Sequence, residues 1–204
     1  MNHLAPRTSP THAAARASSR PASAKATIAT ITTLSLALSG CSSDEPPKPK
    51  KLYTVPTTLC GAAVPPDLLT AVLPPGKKLH TKPWTSGYNQ STCRVFIDNE
   101  PVLVAQYDWQ RKERTIFDTA PSLTGLDRKK DVNPERTLGY TEKGGVTKAA
   151  CPNPARSEYK TWQLFVYITT YKDEGTKEDM KNLVTAYGKG MTESSECTSK
   201  GRTT

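Results

Sequence analysis

Five cysteines constrain this 204-residue chain more than any other feature, because one closes a short apolar run and the other four are spread over the C-terminal three quarters. The apolar run is Thr27 to Leu38, preceded by Arg7, Arg16, Arg20 and Lys25 with no acidic residue in the first 40. A cationic segment, then about 7 to 15 apolar residues, then a small-residue site is the form of a secretory signal. A spanning helix needs roughly 20 predominantly apolar residues, whereas this run is shorter and diluted by threonine. No Arg-Arg pair precedes it, which favours export of the unfolded chain. Export places the later cysteines in an oxidising compartment, where an even number reads as disulfides.

The run ends in Leu38-Ser39-Gly40-Cys41, which resembles a bacterial lipobox: an aliphatic residue three positions before the cysteine, then two small ones. On that reading residues 1–40 are a lipoprotein signal peptide, and the Cys41 sulfur carries a diacylglyceryl group. Each buried methylene contributes about 0.8 kcal/mol, so one chain binds marginally and two make a lasting anchor. Removing residues 1–40 takes four of the 28 Lys and Arg residues and none of the 19 acids, leaving +5 on 164 residues. That mild basicity favours anionic lipid or cell-wall polymer as a partner. No nucleic-acid partner is expected. Ser42 to Pro56 is polar and broken by Pro46, Pro47 and Pro49, so residues 41–56 read as a lipidated cysteine and flexible tether. Residues 57–204 are then a single extracytoplasmic domain, anchored at the cell membrane, large enough to bury a core.

With Cys41 assigned to lipid, Cys60, Cys93, Cys151 and Cys197 allow three pairings. Cys60 with Cys93 and Cys151 with Cys197 is favoured, since each link then joins a helix end to a strand end. The closed loops, about 33 and 46 residues, would each contribute at most roughly 4 kcal/mol in the chain-entropy model. A metal site is disfavoured, because no two cysteines stand at Cys-x-x-Cys spacing and His80 is the only histidine beyond residue 40. No cofactor is expected.

Pro65-Pro66-Asp67 followed by Leu68, Leu69 and Val72 predicts a short helix that stops at Pro74-Pro75-Gly76. Thr92 to Asp98 and Val102 to Trp109 alternate and flank a turn at Asp98-Asn99-Glu100-Pro101, as a hairpin does. Between Gln110 and Arg136 the pattern is lost, and so long a connection hides a short helix or carries function. Gly144-Gly145 is expected to be the turn between strands at 137–142 and 146–150. Trp162 to Tyr171 is the most strand-like segment. Thr176 with Asp179 three residues on caps a final helix whose stripe is Met180, Leu183, Val184, Tyr187 and Met191, with Gly188 and Gly190 near its end. The fold class expected is α+β: an antiparallel sheet of about five strands with two helices packed on one face.

Several local patterns add a resemblance to the lipobox: Leu59-Cys60-Gly61 before the first helix, Leu73-Pro74-Pro75-Gly76-Lys77, Cys93-Arg94-Val95 opening a strand, Gly145 to Cys151-Pro152, and a late helix leading to Cys197. Together they resemble the small two-disulfide lipoproteins of actinobacteria over most of the mature chain, the lipobox being the one individually specific motif. The architecture is also similar to extracellular sensor domains of some mycobacterial receptor kinases. That likeness implies ligand binding at most.

Catalytic constellations are thin. A hydrolase triad needs a base beside its nucleophile, and His80 sits among Lys77, Lys78 and Lys82 with no Gly-x-Ser-x-Gly turn in the chain. The carboxylate pairs Asp98 with Glu100, Asp173 with Glu174 and Glu178 with Asp179 fall in turns or at a helix start. No phosphate-cradling glycine loop or calcium loop is present. The leading expectation is a noncatalytic ligand-binding or sensory module, ahead of an envelope scaffold and then an envelope hydrolase. Its candidate binding face is the second side of the sheet, with Phe165, Tyr167 and Tyr171 beside Arg94 and Phe96, where aromatics next to a cation suit sugar rings or apolar ligands. The competing expectation is that the 110–136 connection folds over this face and buries it.

Overall fold

Prolines open the first helix of the domain and close it. The computed structural model describes residues 50–84, 87–120, 126–172 and 174–198; the leader, Cys41 and the tether up to residue 49 lie outside them. A small hairpin, β1 (Thr58–Leu59) with β2 (Ala62–Ala63), turns at Cys60 and Gly61, both at positive φ. Helix α1 (Pro66–Val72) comes next, its fixed proline φ pre-set for the first turn and Asp67 beside the positive helix end. Extended Leu73 and then Pro74 stop it.

Six strands then form one antiparallel sheet in the order β3-β4-β5-β8-β7-β6. They are β3 (Leu79–Trp84), β4 (Gln90–Ile97), β5 (Glu100–Arg111), β6 (Leu138–Tyr140), β7 (Gly144–Ala149) and β8 (Trp162–Thr170). The β4–β5 turn is carried by Asp98 and Asn99, both left-handed, the residue types that tolerate the tight hairpin geometry. A four-residue helix, α2 (Ile116–Thr119), interrupts the long connection after β5, and α3 (Lys177–Glu193) is the last element of the described chain. The Asp118 carboxylate accepts from both the N–H and the hydroxyl of Thr115, and Asp179 does the same for Thr176. Those hydrogen bonds hold both carboxyls below the usual range.

The α+β class with an antiparallel sheet is as expected, but the strand count is six, not about five. The additional strand is β3. Its Lys82 and Pro83 mask the alternation, and an edge strand tolerates proline because one row of its N–H groups needs no partner. His80 accordingly lies in a strand. Gly144-Gly145 also differs from expectation: it lies inside β7, and residues 141–143 make the turn. A Cβ on Gly145 would meet Val184 Cγ1 at 2.7 Å, so the glycine permits α3 to approach the sheet and does not turn the chain. Gly188 and Gly190 likewise lie within α3 and do not end it.

Two apolar clusters divide the interior. The larger joins Leu69 and Val72 of α1, Met180, Leu183, Tyr187 and Met191 of α3, and Leu103, Ala105, Leu164, Val166 and Ile168 of the sheet. The smaller joins Ile116 and Ala120 to Val146, Phe165 and Tyr167, with Leu126 and Val132 at its margin. Both disulfides form as favoured, Cys60–Cys93 with Cα atoms 5.6 Å apart and Cys151–Cys197 at 4.8 Å. Among the described residues, no helix is long and apolar enough to cross a membrane.

Candidate functional site

Cover and position along the sheet, and not strand parity, separate the five residues expected to share a binding face. Phe165 and Tyr167 do point to the side opposite α3, but Phe165 is fully buried and Tyr167 is 7% exposed, because α2 and Leu126 fold over them. Each large apolar side chain taken from water contributes about 1.5–3 kcal/mol, which draws Ile116 and Leu126 onto this half of the sheet. Lys148 also sits over the Phe165 ring at 5.5 Å. Arg94 and Phe96 lie half-buried at the other end of the same side, away from α2, and Tyr171 is exposed one residue past the end of β8. The five are therefore not one surface. Arg128 contacts Phe117 through its guanidinium at 4.7 Å, while Lys129 and Lys130 are exposed.

A different site forms on the α3 side, where the sheet leaves β5. Trp109 and Tyr107 of β5 are two residues apart and so face the same way. Tyr159, in a 3-10 turn at Ser157–Thr161, stacks on Trp109 with ring centroids 4.6 Å apart and planes 15° apart. Together with Tyr88, Asn89, Ser91, Arg156 and Glu196 these residues line a cavity of about 200 Å³.

Most of its polar groups are held in place. Asn89 donates from Nδ2 to Asp108 Oδ1 at 3.1 Å and to the Trp109 carbonyl at 2.9 Å, while its own backbone carbonyl accepts from the Trp109 N–H at 2.8 Å. The Tyr159 hydroxyl donates to the Tyr88 carbonyl at 3.0 Å, and the Tyr88 hydroxyl donates to Glu158 Oε1 at 2.8 Å. The Arg156 guanidinium lies 4.6 Å over the Tyr88 ring and 5.7 Å over the Tyr159 ring. Burial and the Glu196 carboxylate, with which it hydrogen-bonds, push the Tyr107 hydroxyl well above its ordinary range. Beneath, Asp108 is also pushed up by burial, an effect partly offset by the Gln110 side chain that donates to it at 2.5 Å.

A buried donor of one lining residue has no partner among the described residues. The indole N–H of Trp109 is buried without an acceptor among the described residues, in a side chain only 1% exposed. An unsatisfied buried donor costs about 1–3 kcal/mol.

The Cys151–Cys197 bridge joins the two pieces of chain that supply the charges. It ties the segment leading to Arg156 to the residue after Glu196, and the Ala155 N–H donates to the Glu196 carbonyl at 2.9 Å. No protein-family model, curated protein or solved structure matches this chain. The site offers aromatic faces, one cation, one carboxylate and side-chain amide and hydroxyl groups, which is recognition chemistry. Among the described residues no group of three His, Cys, Asp or Glu side chains is arranged to hold a metal ion.

Sequence patterning does not single out this cavity. Its residues come from separate stretches of chain, and only the cysteine pairing hints that the segments around 151 and 197 meet. The alternation of Tyr107 with Trp109 is visible, but it reads equally as core.

Proposed function

We propose that this protein is a lipid-anchored extracytoplasmic ligand-binding module, akin to the two-disulfide lipoproteins that its sequence resembles, with the Tyr107–Trp109–Tyr159 cavity as its noncatalytic binding site. In this reading α1 and α3 cover one side of the sheet, and the cavity opens where that cover ends. The observation that carries the reading is a cavity walled by the stacked Trp109 and Tyr159 rings, with Asn89, Ser91, Arg156 and Glu196 converging on it. A volume of about 200 Å³ lies below the roughly 300–1,000 Å³ of drug-sized pockets and admits one small polar unit. Aromatic rings beside Asn89, Ser91, Arg156 and Glu196 suit a single hydroxyl-rich sugar ring, its C–H face against Tyr88 or Tyr159 and its oxygens toward the polar side chains.

Titration of the mature protein with neutral and N-acetylated hexoses, monitored by ¹H–¹⁵N NMR, tests this. The Trp109 indole N–H signal and the Asn89, Ser91 and Glu196 amides are expected to shift together. Absence of any such shift up to roughly 10 mM sugar, a free energy weaker than about 3 kcal/mol, removes this ligand class. The anchor is tested separately: Cys41→Ala is expected to leave an unprocessed, unlipidated precursor, seen by mass spectrometry of the membrane fraction. Normal acylation of that variant refutes the lipobox assignment.

A further inference from the structure

The half of the sheet that no other described element covers is a basic and aromatic surface beside the first described residues. β3 is an edge strand, and its alternate residues His80, Lys82 and Trp84 point to the side away from α3, joined there by Arg94 and Phe96 of β4. His80 stacks on Phe96 with ring centroids 4.9 Å apart and planes 3° apart. The Arg94 guanidinium lies 4.3 Å over the Trp84 ring, yet Trp84 remains 50% exposed. Neither strand carries an acidic residue. The nearest carboxylate in sequence, Asp98, is in the turn beyond β4 and is engaged by the backbone N–H groups of Lys77 and Lys78.

The entry point of the described chain lies beside this surface. The Leu52 N–H donates to the Gly76 carbonyl at 2.8 Å, and the Gly76 N–H donates to the Lys50 carbonyl at 3.3 Å. The first described residues thus run beside the start of β3, with Lys50, Lys51 and Leu52 all exposed. Nine residue steps separate Cys41 from Lys50, a reach of at most about 30 Å when fully extended. A lipid on Cys41 therefore holds the start of β3 within that reach of the bilayer.

We infer that the β3–β4 surface docks on an anionic phospholipid bilayer, with Lys82 and Arg94 at the head groups and Trp84 in the interfacial layer; this rests on the lipid anchor proposed above. Tryptophan favours that layer because its ring is apolar at one end and wet at the other. Basic side chains near an anionic surface are each attracted enough to change occupancy about five-fold. Two attachments, one covalent lipid and one surface, hold the domain in one orientation, with the ligand cavity on the opposite side of the sheet facing away from the membrane.

The experiment reconstitutes the full mature lipoprotein into vesicles whose acyl chains are brominated, and reads quenching of tryptophan fluorescence. Trp109 is buried, and a Trp84→Phe variant subtracts the contribution of Trp162. The expected result is Trp84 quenching in phosphatidylglycerol vesicles, little in phosphatidylcholine vesicles, and release near 1 M salt, where screening shortens to about 3 Å. Replacing Lys82 by alanine is expected to lower the quenched fraction several-fold while the protein still floats with the vesicles. Flotation with no Trp84 quenching in anionic vesicles overturns the docking surface alone. Equal quenching in both lipids overturns its electrostatic basis. Failure to float at all overturns the anchor and the docking together. A soluble anionic wall polymer that shifts Trp84 emission when brominated lipid does not quench it would reassign the surface to that polymer.

Discussion

The hydroxyl of Tyr187 is fully buried beneath α3 and has no hydrogen-bond partner among the described residues. Burial pushes its ionisation well above the ordinary tyrosine range, with Tyr107 nearby adding to the shift. Tyr107 and Tyr167 are raised by burial as well. Proton counting gives the sign: above about pH 10 the unfolded chain loses these phenolic protons while the folded one retains them. The unfolded state then binds fewer protons, so stability falls as pH rises past about 10. Tyr187→Phe removes an unpaired polar atom and keeps the ring, so it is expected to raise stability by about 1 kcal/mol at neutral pH. It should also flatten the alkaline decline. Urea unfolding at several values between about pH 7 and 11 measures both; a loss of stability on making the substitution would show that the hydroxyl has a partner.

At the scale of elements, glycine has two meanings that sequence patterning does not separate. Gly190 lies inside α3, where a Cβ would meet the Ala63 carbonyl oxygen of β2 at 2.1 Å. Backbone cannot yield there as a flexible side chain would, so Gly190→Ala is expected to destabilise by about 2 kcal/mol despite the better helix propensity of alanine. Thermal unfolding checks it, and an unchanged melting temperature would mean the α3–β2 contact is loose. The capped helix, the β4–β5 hairpin and β8 are legible because capping residues, a left-handed Asp98-Asn99 pair and strict alternation act locally. The β3 strand is not, because Lys82 and Pro83 are tolerated only at an edge, and edge position is a property of the assembled sheet. The fate of Phe165 and Tyr167 turns on Ile116 and Leu126, which look isolated in sequence and meet them only after folding. The cavity is hidden for the same reason: Tyr88, Trp109, Arg156 and Glu196 acquire a common purpose only through long-range contacts.

Across the whole molecule the two disulfides hold different things. Cys60–Cys93 ties the β1–β2 hairpin to the sheet, whereas Cys151–Cys197 ties the chain that precedes Arg156 to the chain that carries Glu196. Their sequence separations, 33 and 46 residues, imply similar entropic contributions of up to about 4 kcal/mol each. Similar stability effects with dissimilar positions make the pair a controlled comparison. Loss of the second bridge frees Arg156 and Glu196 from one another, and the 3-10 turn carrying Tyr159 loses its nearest covalent support. Replacing Cys151 and Cys197 by serine is therefore expected to weaken ligand binding at the cavity at least tenfold, beyond its cost in stability. Replacing Cys60 and Cys93 by serine should lower the unfolding free energy by a comparable amount and leave affinity within about twofold, provided the measurements are made where both variants are folded. Paired urea denaturation and NMR titration of the Trp109 indole signal give the two readouts on the same samples. Equal affinity in both variants would mean that the cavity does not depend on the second bridge, and would move the site of ligand recognition elsewhere on the domain.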